Sequence, residues 1–263
     1  MEYFFYSFIC LISTTLGAIS GIGGGVIIKP VLDATANLSV SQISFLSGCC
    51  VLAMSIVSLL SSRNGDAKVD KKRTTPLAIG SAVGGVLGKL IFDIIKRNAS
   101  NDGMIGTIQS VIMIILTFGV FLYVLNKARI KTMDINSIII SISIGLVLGI
   151  LSSFLGIGGG PINLAVLYFF FSMNTKTAAL NSIYMIFFAQ TASLLFTFIT
   201  SSVPDTNILA LSIMIISGIM GGFIGRKINK RMSGKAVDIL FCCMLIIITC
   251  ISIFNFTKYI ALI

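Results

Sequence analysis

The sequence predicts an all-α polytopic integral membrane protein made of two inverted repeats. Each repeat is a glycine-broken segment, re-entrant or a pair of short crossings, followed by three transmembrane helices. Three observations predict this. First, 56% of the 263 residues are hydrophobic and 11% charged, with a mean hydropathy of +1.03. A soluble domain of this length could not bury so much apolar surface. Second, Gly21-Ile22-Gly23-Gly24-Gly25 recurs as Gly156-Ile157-Gly158-Gly159-Gly160, each time inside an apolar stretch. Third, the cations divide very unevenly between alternate loops once the two glycine-broken segments are taken to enter and leave on one side.

The first element, Tyr3–Ala36, is too long to be one straight crossing. Its 34 residues would make a helix of ~51 Å, against a hydrocarbon core of about 30 Å. The glycines supply the break, since each costs a helix interior about 1 kcal/mol relative to alanine. Three ordinary spans follow at about 41–62, 75–95 and 104–126. The second broken segment, Ile135–Met173, has 39 residues and would reach ~58 Å if straight. Its three following spans lie at about 177–199, 207–225 and 236–257.

The two repeats, 1–127 and 134–260, form one integral membrane domain. At an offset of 135 the glycine clusters superpose, Ser47 falls on Ser182, and Ser58-Leu59-Leu60 falls on Ser193-Leu194-Leu195. At an offset of 137, Gly84-Gly85 and Gly88-Lys89 fall on Gly221-Gly222 and Gly225-Arg226. Single crossings of the broken segments would place nine cations on one side and eight on the other, which is no bias. If each segment instead returns to its own side, loops 63–73, 127–131, 176 and 226–235 share a face with fourteen cations. Lys96, Arg97 and Lys258 are then the three opposite them. This fits the positive-inside rule, with both termini outside and the repeats oppositely oriented. A hairpin and a pair of short crossings give the same parity.

Several function classes are excluded or left without support. The chain has no histidine, so His-based metal sites and Ser–His chemistry are absent. Cys10, Cys49, Cys50, Cys242, Cys243 and Cys250 lack metal-type spacing and read as small hydrophobes within helices. No cofactor, metal or enzyme is expected. The net charge of +10 sits in short loops rather than on a basic stripe, so no nucleic-acid partner is expected. No basic n-region precedes the first span, so no removable signal peptide is predicted. No phosphate-binding G-x-x-x-x-G-K-[ST] motif is present. An energy source would be an ion gradient, with H+ or Na+ as coupling ion, or a partner, or transport would be passive.

The duplicated G-x-G-G-G, a serine about six residues into the next span and a glycine-rich span beyond it resemble the TauE/SafE family. This group is also called the sulfite exporter or toluene sulfonate uptake permease family. The resemblance covers both repeats. It implies a permease for small anions such as sulfur oxyanions, organosulfonates or related carboxylates, in the cytoplasmic (inner) membrane of a prokaryotic cell. Family halves often carry Gly-Thr-Ser where this chain has Phe45-Leu46-Ser47 and Leu180-Asn181-Ser182.

Two matched helix breaks point to a site between repeats. Half-helices beginning after Gly23, Gly24 and Gly25 and after Gly158, Gly159 and Gly160 would offer free N–H groups and positive dipole ends to an anion. Pro161 suits the first helical position. The competing reading is tight helix crossing; the matched pair favours the ligand. Ser47, Asn163, Asn181, Ser182 and Gln190 are the polar candidates beside the breaks. Each serine alone has the plainer reading of a bond back to its own helix. Lys29 and Asp33 lie one turn apart, in the first repeat only. Either they attract the anion and titrate for coupling, or they form a local i, i+4 pair with Lys29 snorkelling outward, which is the plainer reading. The spaced glycines at 80, 84 and 88, and at 218, 221, 222 and 225, read as scaffold. An anion or cation channel with a glycine-break filter is the alternative function. Membrane lipid is an expected partner, and a homo-oligomer is compatible with the sequence.

Overall fold

The computed structural model describes residues 2–62, 67–98, 102–127 and 129–261; Arg63, counted above among the loop cations, lies outside them. The described residues form helices and connections without a strand. In chain order the helices are α1 (Glu2–Ser20), α2 (Gly25–Thr35), α3 (Val40–Ser61), α4 (Lys71–Asn98) and α5 (Asp102–Asn126). The second half continues with α6 (Ile138–Leu155), α7 (Gly160–Phe171), α8 (Thr175–Ile199), α9 (Ile208–Arg231) and α10 (Gly234–Ile260). Seven of them, α3, α4, α5, α6, α8, α9 and α10, are long and apolar enough to cross a membrane.

Local sequence sets the ends. Ser39 and Gln42 form a reciprocal capping box at the start of α3. Asn174, Asn207 and Ser233 cap α8, α9 and α10 through their side chains. Gly156, at φ 66°, closes α6 in the left-handed conformation, and Pro161 opens α7. Each broken segment is therefore a near-full-length helix followed by one of 11 or 12 residues.

The second broken segment comes back to where it started. The N–H groups of Met133 and Ile135, before α6, donate to the carbonyls of Phe169 and Phe170 at the end of α7, at 2.7 and 3.0 Å. In the first half, Ile28 and Leu32 of α2 share a core cluster with Tyr6, Ile9 and Cys10 of α1.

Glycines let helix backbones touch, and the order of those contacts shows the helix directions. Gly80, Gly84 and Gly88 of α4 face Ile142, Leu146 and Ile150 of α6, ascending together, so these helices run parallel. Gly221 and Gly225 of α9 likewise meet Leu11 and Thr15 of α1, and Ser7 lies 3.0 Å from Ser217, so this pair is parallel too. Gly218 and Gly222 press on Cys50 and Met54, which makes α3 parallel to α9. Between α3 and α8 the order reverses: Phe45 meets Phe198, and Gly48 meets Leu194. The partnerships are exchanged between halves, since α1 packs on α9 as α6 packs on α4, while α3 meets α8 and α5 meets α10.

Polar ties gather one end of the bundle. Arg73 bonds Asp134 at 2.6 Å, Lys127 bonds Asp238 at 2.6 Å, and Thr175 reaches the same Asp238 at 3.0 Å. The loops that carry most of the cations thus share a face. At the other end Lys258 donates to the Asp33 and Ala34 carbonyls at the close of α2.

Candidate functional site

The two glycine breaks meet at the centre of the molecule, and they meet reciprocally. A methyl group on Gly25 would stand 2.7 Å from the Ile157 carbonyl oxygen. One on Gly160 would overlap the Ile22 carbonyl. Gly25 and Gly160 are repeat mates, as are Ile22 and Ile157, so one contact occurs twice. Gly23 and Gly158 both face Val51 of α3 and Ile186 of α8, themselves repeat mates. The break geometry needs glycine, because φ is 85° at Gly21, 76° at Gly23, 81° at Gly158 and 73° at Gly159. The halves differ at one place: Gly24 is right-handed at φ −66°, whereas its mate Gly159 is left-handed.

Around the breaks lie buried polar atoms with no partner. Ser47 and Ser182 are fully buried and their hydroxyls are unpaired. A methyl group on Gly25 would lie 3.0 Å from the Ser47 Oγ. Asn163 is 3% exposed, and its unpaired Oδ1 lies beside Gly159. Such groups are costly unless something bonds to them. Gln190 reaches into the same region, its amide beside Gly48 and Gly158. Ser47, Asn163 and Gln190, together with Gly23–Gly25 and Gly158–Gly160, are the predicted residues that the fold brings together, and Ser182 is buried with an unpaired hydroxyl on α8.

Asn181 lies outside this group. Its Oδ1 accepts from the Asp70 N–H at 2.9 Å and from the Thr74 hydroxyl at 2.5 Å, and its Nδ2 donates to the Thr177 carbonyl at 2.7 Å. It ties the start of α4 to α8. Lys29 and Asp33 form a local i, i+4 pair at 2.8 Å, but the pair is buried and Lys29, 3% exposed, does not snorkel to the surface. It borders a cavity of about 20 Å3 with Gln109, Ser252 and Asn255. The unpaired oxygens of Asp33, Gln109, Ser252 and Asn255 belong to this cavity's lining, and its size suits a water. Gln109, Ser252 and Asn255 were not legible in the sequence, because they come from α5 and α10 and only packing brings them to Lys29.

Among the described residues no group of three His, Cys, Asp or Glu side chains could hold a metal ion. At the breaks the buried polar side chains are hydroxyls and amides, those of Ser47, Asn163 and Gln190.

A helical bundle with seven helices long and apolar enough to cross a membrane, packed around two facing helix breaks, defines a multi-pass helical membrane protein. Residues 6–251 match the family described as Sulfite exporter TauE/SafE, and the chain belongs to that family. It is similar to the Bacillus subtilis (strain 168) protein described as "Probable membrane transporter protein YunE", with 24% identity over 262 residues, covering 91% of this chain and 93% of the relative. No solved structure matches the chain. Family and relative both point to a membrane transporter rather than an enzyme.

Proposed function

We propose that this transporter carries small anions, namely sulfur oxyanions, organosulfonates or related carboxylates, by alternating access around the paired glycine breaks. The observation that carries the reading is the reciprocal meeting of the breaks, with unpaired Ser47 and Asn163 buried beside them and Ser182, the repeat mate of Ser47, buried and unpaired on α8. Backbone N–H groups at helix starts and neutral hydroxyls can hold an anion without a permanent counter-charge that would trap it. The repeats, 1–127 and 134–260, are inverted. Support comes from the helix directions: α1 runs with α3 and α9, and α6 runs with α4 and antiparallel to them through α8. The cation-rich face is cytoplasmic and both termini are outside, in the inner membrane of a prokaryotic cell. Gly23, Gly24, Gly25, Gly158, Gly159, Gly160, Ser47, Ser182, Asn163 and Gln190 form the binding centre. Lys29 and Asp33 are the candidates for coupling to H+ or Na+.

The test is thermal unfolding of the detergent-purified protein in sulfite, sulfate, thiosulfate, taurine, sulfoacetate, acetate and chloride at matched ionic strength. A ligand at ~100 times its Kd stabilises by about 2.7 kcal/mol. Selective stabilisation by one anion, weakened in Ser47→Ala and Asn163→Leu, supports the site. A response equal for all anions and unchanged in both variants overturns it.

A further inference from the structure

A cleft runs from one face of the molecule to the second glycine break. Its outer part is a recess of about 420 Å3 bordered by Lys89, Lys96 and Arg97, with Asp93 as the acid. Its inner part, about 40 Å3, shares Ser41 and Lys89 with the recess and ends at Gly156 and Gln190. Hydroxyls line the stretch between them. The Oγ atoms of Ser41 and Ser44 have no partner, and the Ser153 and Ser193 hydroxyls pair with each other at 2.9 Å. Lys89 stands at the junction, 3.0 Å from Asp93 and over the Phe92 ring. A cationic mouth raises the local concentration of anions. Neutral hydroxyls can then replace hydration without holding the ion fast.

The repeat mates of these residues are shut. Gln190, Ser193 and Thr197 correspond to Ser55, Ser58 and Ser62, and Lys89 corresponds to Arg226. Ser55 and Ser58 are fully buried, and Ser58 has no hydrogen-bond partner for its hydroxyl. Arg226 is 2% exposed; it donates to Asn229 Oδ1 at 3.3 Å and leaves its Nε unpaired. In this half Lys176 donates to the Lys230 carbonyl at 3.4 Å. The mates of those two residues, Ser41 and Asp93, border the open recess instead. A buried arginine with an idle donor is expensive unless another state of the protein solvates it or gives it an anion.

We propose that the two halves are one anion pathway in its two states. The Lys89 cleft is the route open to the face bearing Lys96, Arg97 and Lys258. The Arg226 half is the same route closed, and it opens to the opposite face when the Lys89 cleft shuts. Lys89 and Arg226 are the charge-selecting residues of the two routes. This inference rests on the anion-transport reading above and extends it to named residues away from the breaks.

The experiment uses the full chain with its six cysteines replaced and single cysteines introduced as Ser193→Cys and Ser58→Cys. An anionic methanethiosulfonate (the ethylsulfonate) and its cationic trimethylammonium counterpart are applied to membrane vesicles of each orientation, and labelling rates are measured. The Ser193→Cys thiol is expected to label from the Lys96 face alone, about tenfold faster with the anionic reagent. Lys89→Gln should bring that ratio close to one. The Ser58→Cys thiol should label more slowly and from the opposite face, with an anionic preference that Arg226→Gln removes. Thr197→Cys and Ser62→Cys, at the outer ends of the two routes, replace either variant if it does not fold. Labelling of both sites from one face, or rates indifferent to reagent charge with Lys89 intact, overturns the proposal. Because labelling needs no bound substrate, a flat anion panel in the thermal assay would remove the central site and leave this pathway standing. Charge-indifferent labelling would do the reverse.

Discussion

Replacing the two serines of the centre with alanine should produce an uncommon sign. Ser47 and Ser182 are fully buried and neither hydroxyl has a partner. An unsatisfied buried hydroxyl costs roughly 1–3 kcal/mol. Removing one should therefore raise the stability of the ligand-free protein, by about 1 kcal/mol once the small void left behind is counted. For a chain of this size that is a melting temperature higher by about 2–4 °C. With ligand present the sign should invert. A hydrogen bond to a charged group contributes about 1.5–3 kcal/mol, so losing one weakens affinity at least tenfold. A ligand that stabilises the parent by about 2.7 kcal/mol at ~100 times Kd would then stabilise the variant by only about 1.4. The assay is a thermal melt of Ser47→Ala, Ser182→Ala and the double variant, each with and without the anion the parent responds to. If the ligand-free variants melt lower and the anion response is unchanged, the hydroxyls are ordinary structural groups and the argument fails.

Gly160→Ala should lower expression and melting temperature severely, because its new methyl group would overlap the Ile22 carbonyl. The control, Gly119→Ala in α5, meets nothing within 4 Å and should stabilise by up to about 1 kcal/mol in the same melt. Lys29→Leu alone strands Asp33 in the interior and should cost about 3–5 kcal/mol. Adding Asp33→Tyr, which copies the Leu164 and Tyr168 of the second repeat, should recover most of that; a double variant as unstable as the single would refute the simple ion-pair account. Asn181→Ala should destabilise by about 1–3 kcal/mol, since it releases the start of α4. It should leave the ranking of anions in the melt panel unchanged, and a changed ranking would return Asn181 to the site.

Much of this protein was legible in its residues because membranes leave few solutions. Backbone groups in hydrocarbon must be satisfied within a helix, so apolar stretches such as 104–126 could only be spans. The clusters at 21–25 and 156–160 could only be breaks. Repetition made those breaks a centre, and the candidates Ser47, Ser182 and Asn163 followed from adjacency along the chain. The scaffold role of Gly80, Gly84 and Gly88 was legible for a similar reason, since small residues at every fourth position make a flat face for another helix.

The rest depended on which helices came together. Asn181 looks in sequence like a neighbour of Ser182 and nothing more. In the fold, its Oδ1 accepts from Asp70 and Thr74 in the 67–74 segment and its Nδ2 donates back to the Thr177 carbonyl. Lys29 had a reach that allowed it to snorkel, and the packing of α10 against α2 covered it instead. Local propensity and hydropathy act over a few residues, so the sequence alone determined the membrane class, the helices and the breaks with their recurring glycine cluster. Long-range packing alone decided that the breaks touch each other, that α1 and α6 pack on the other repeat's glycine-rich helix, and that Lys89 borders an open cleft while Arg226 is buried. Those outcomes are set by backbone approach between segments more than a hundred residues apart, where no periodicity along the chain records the partner.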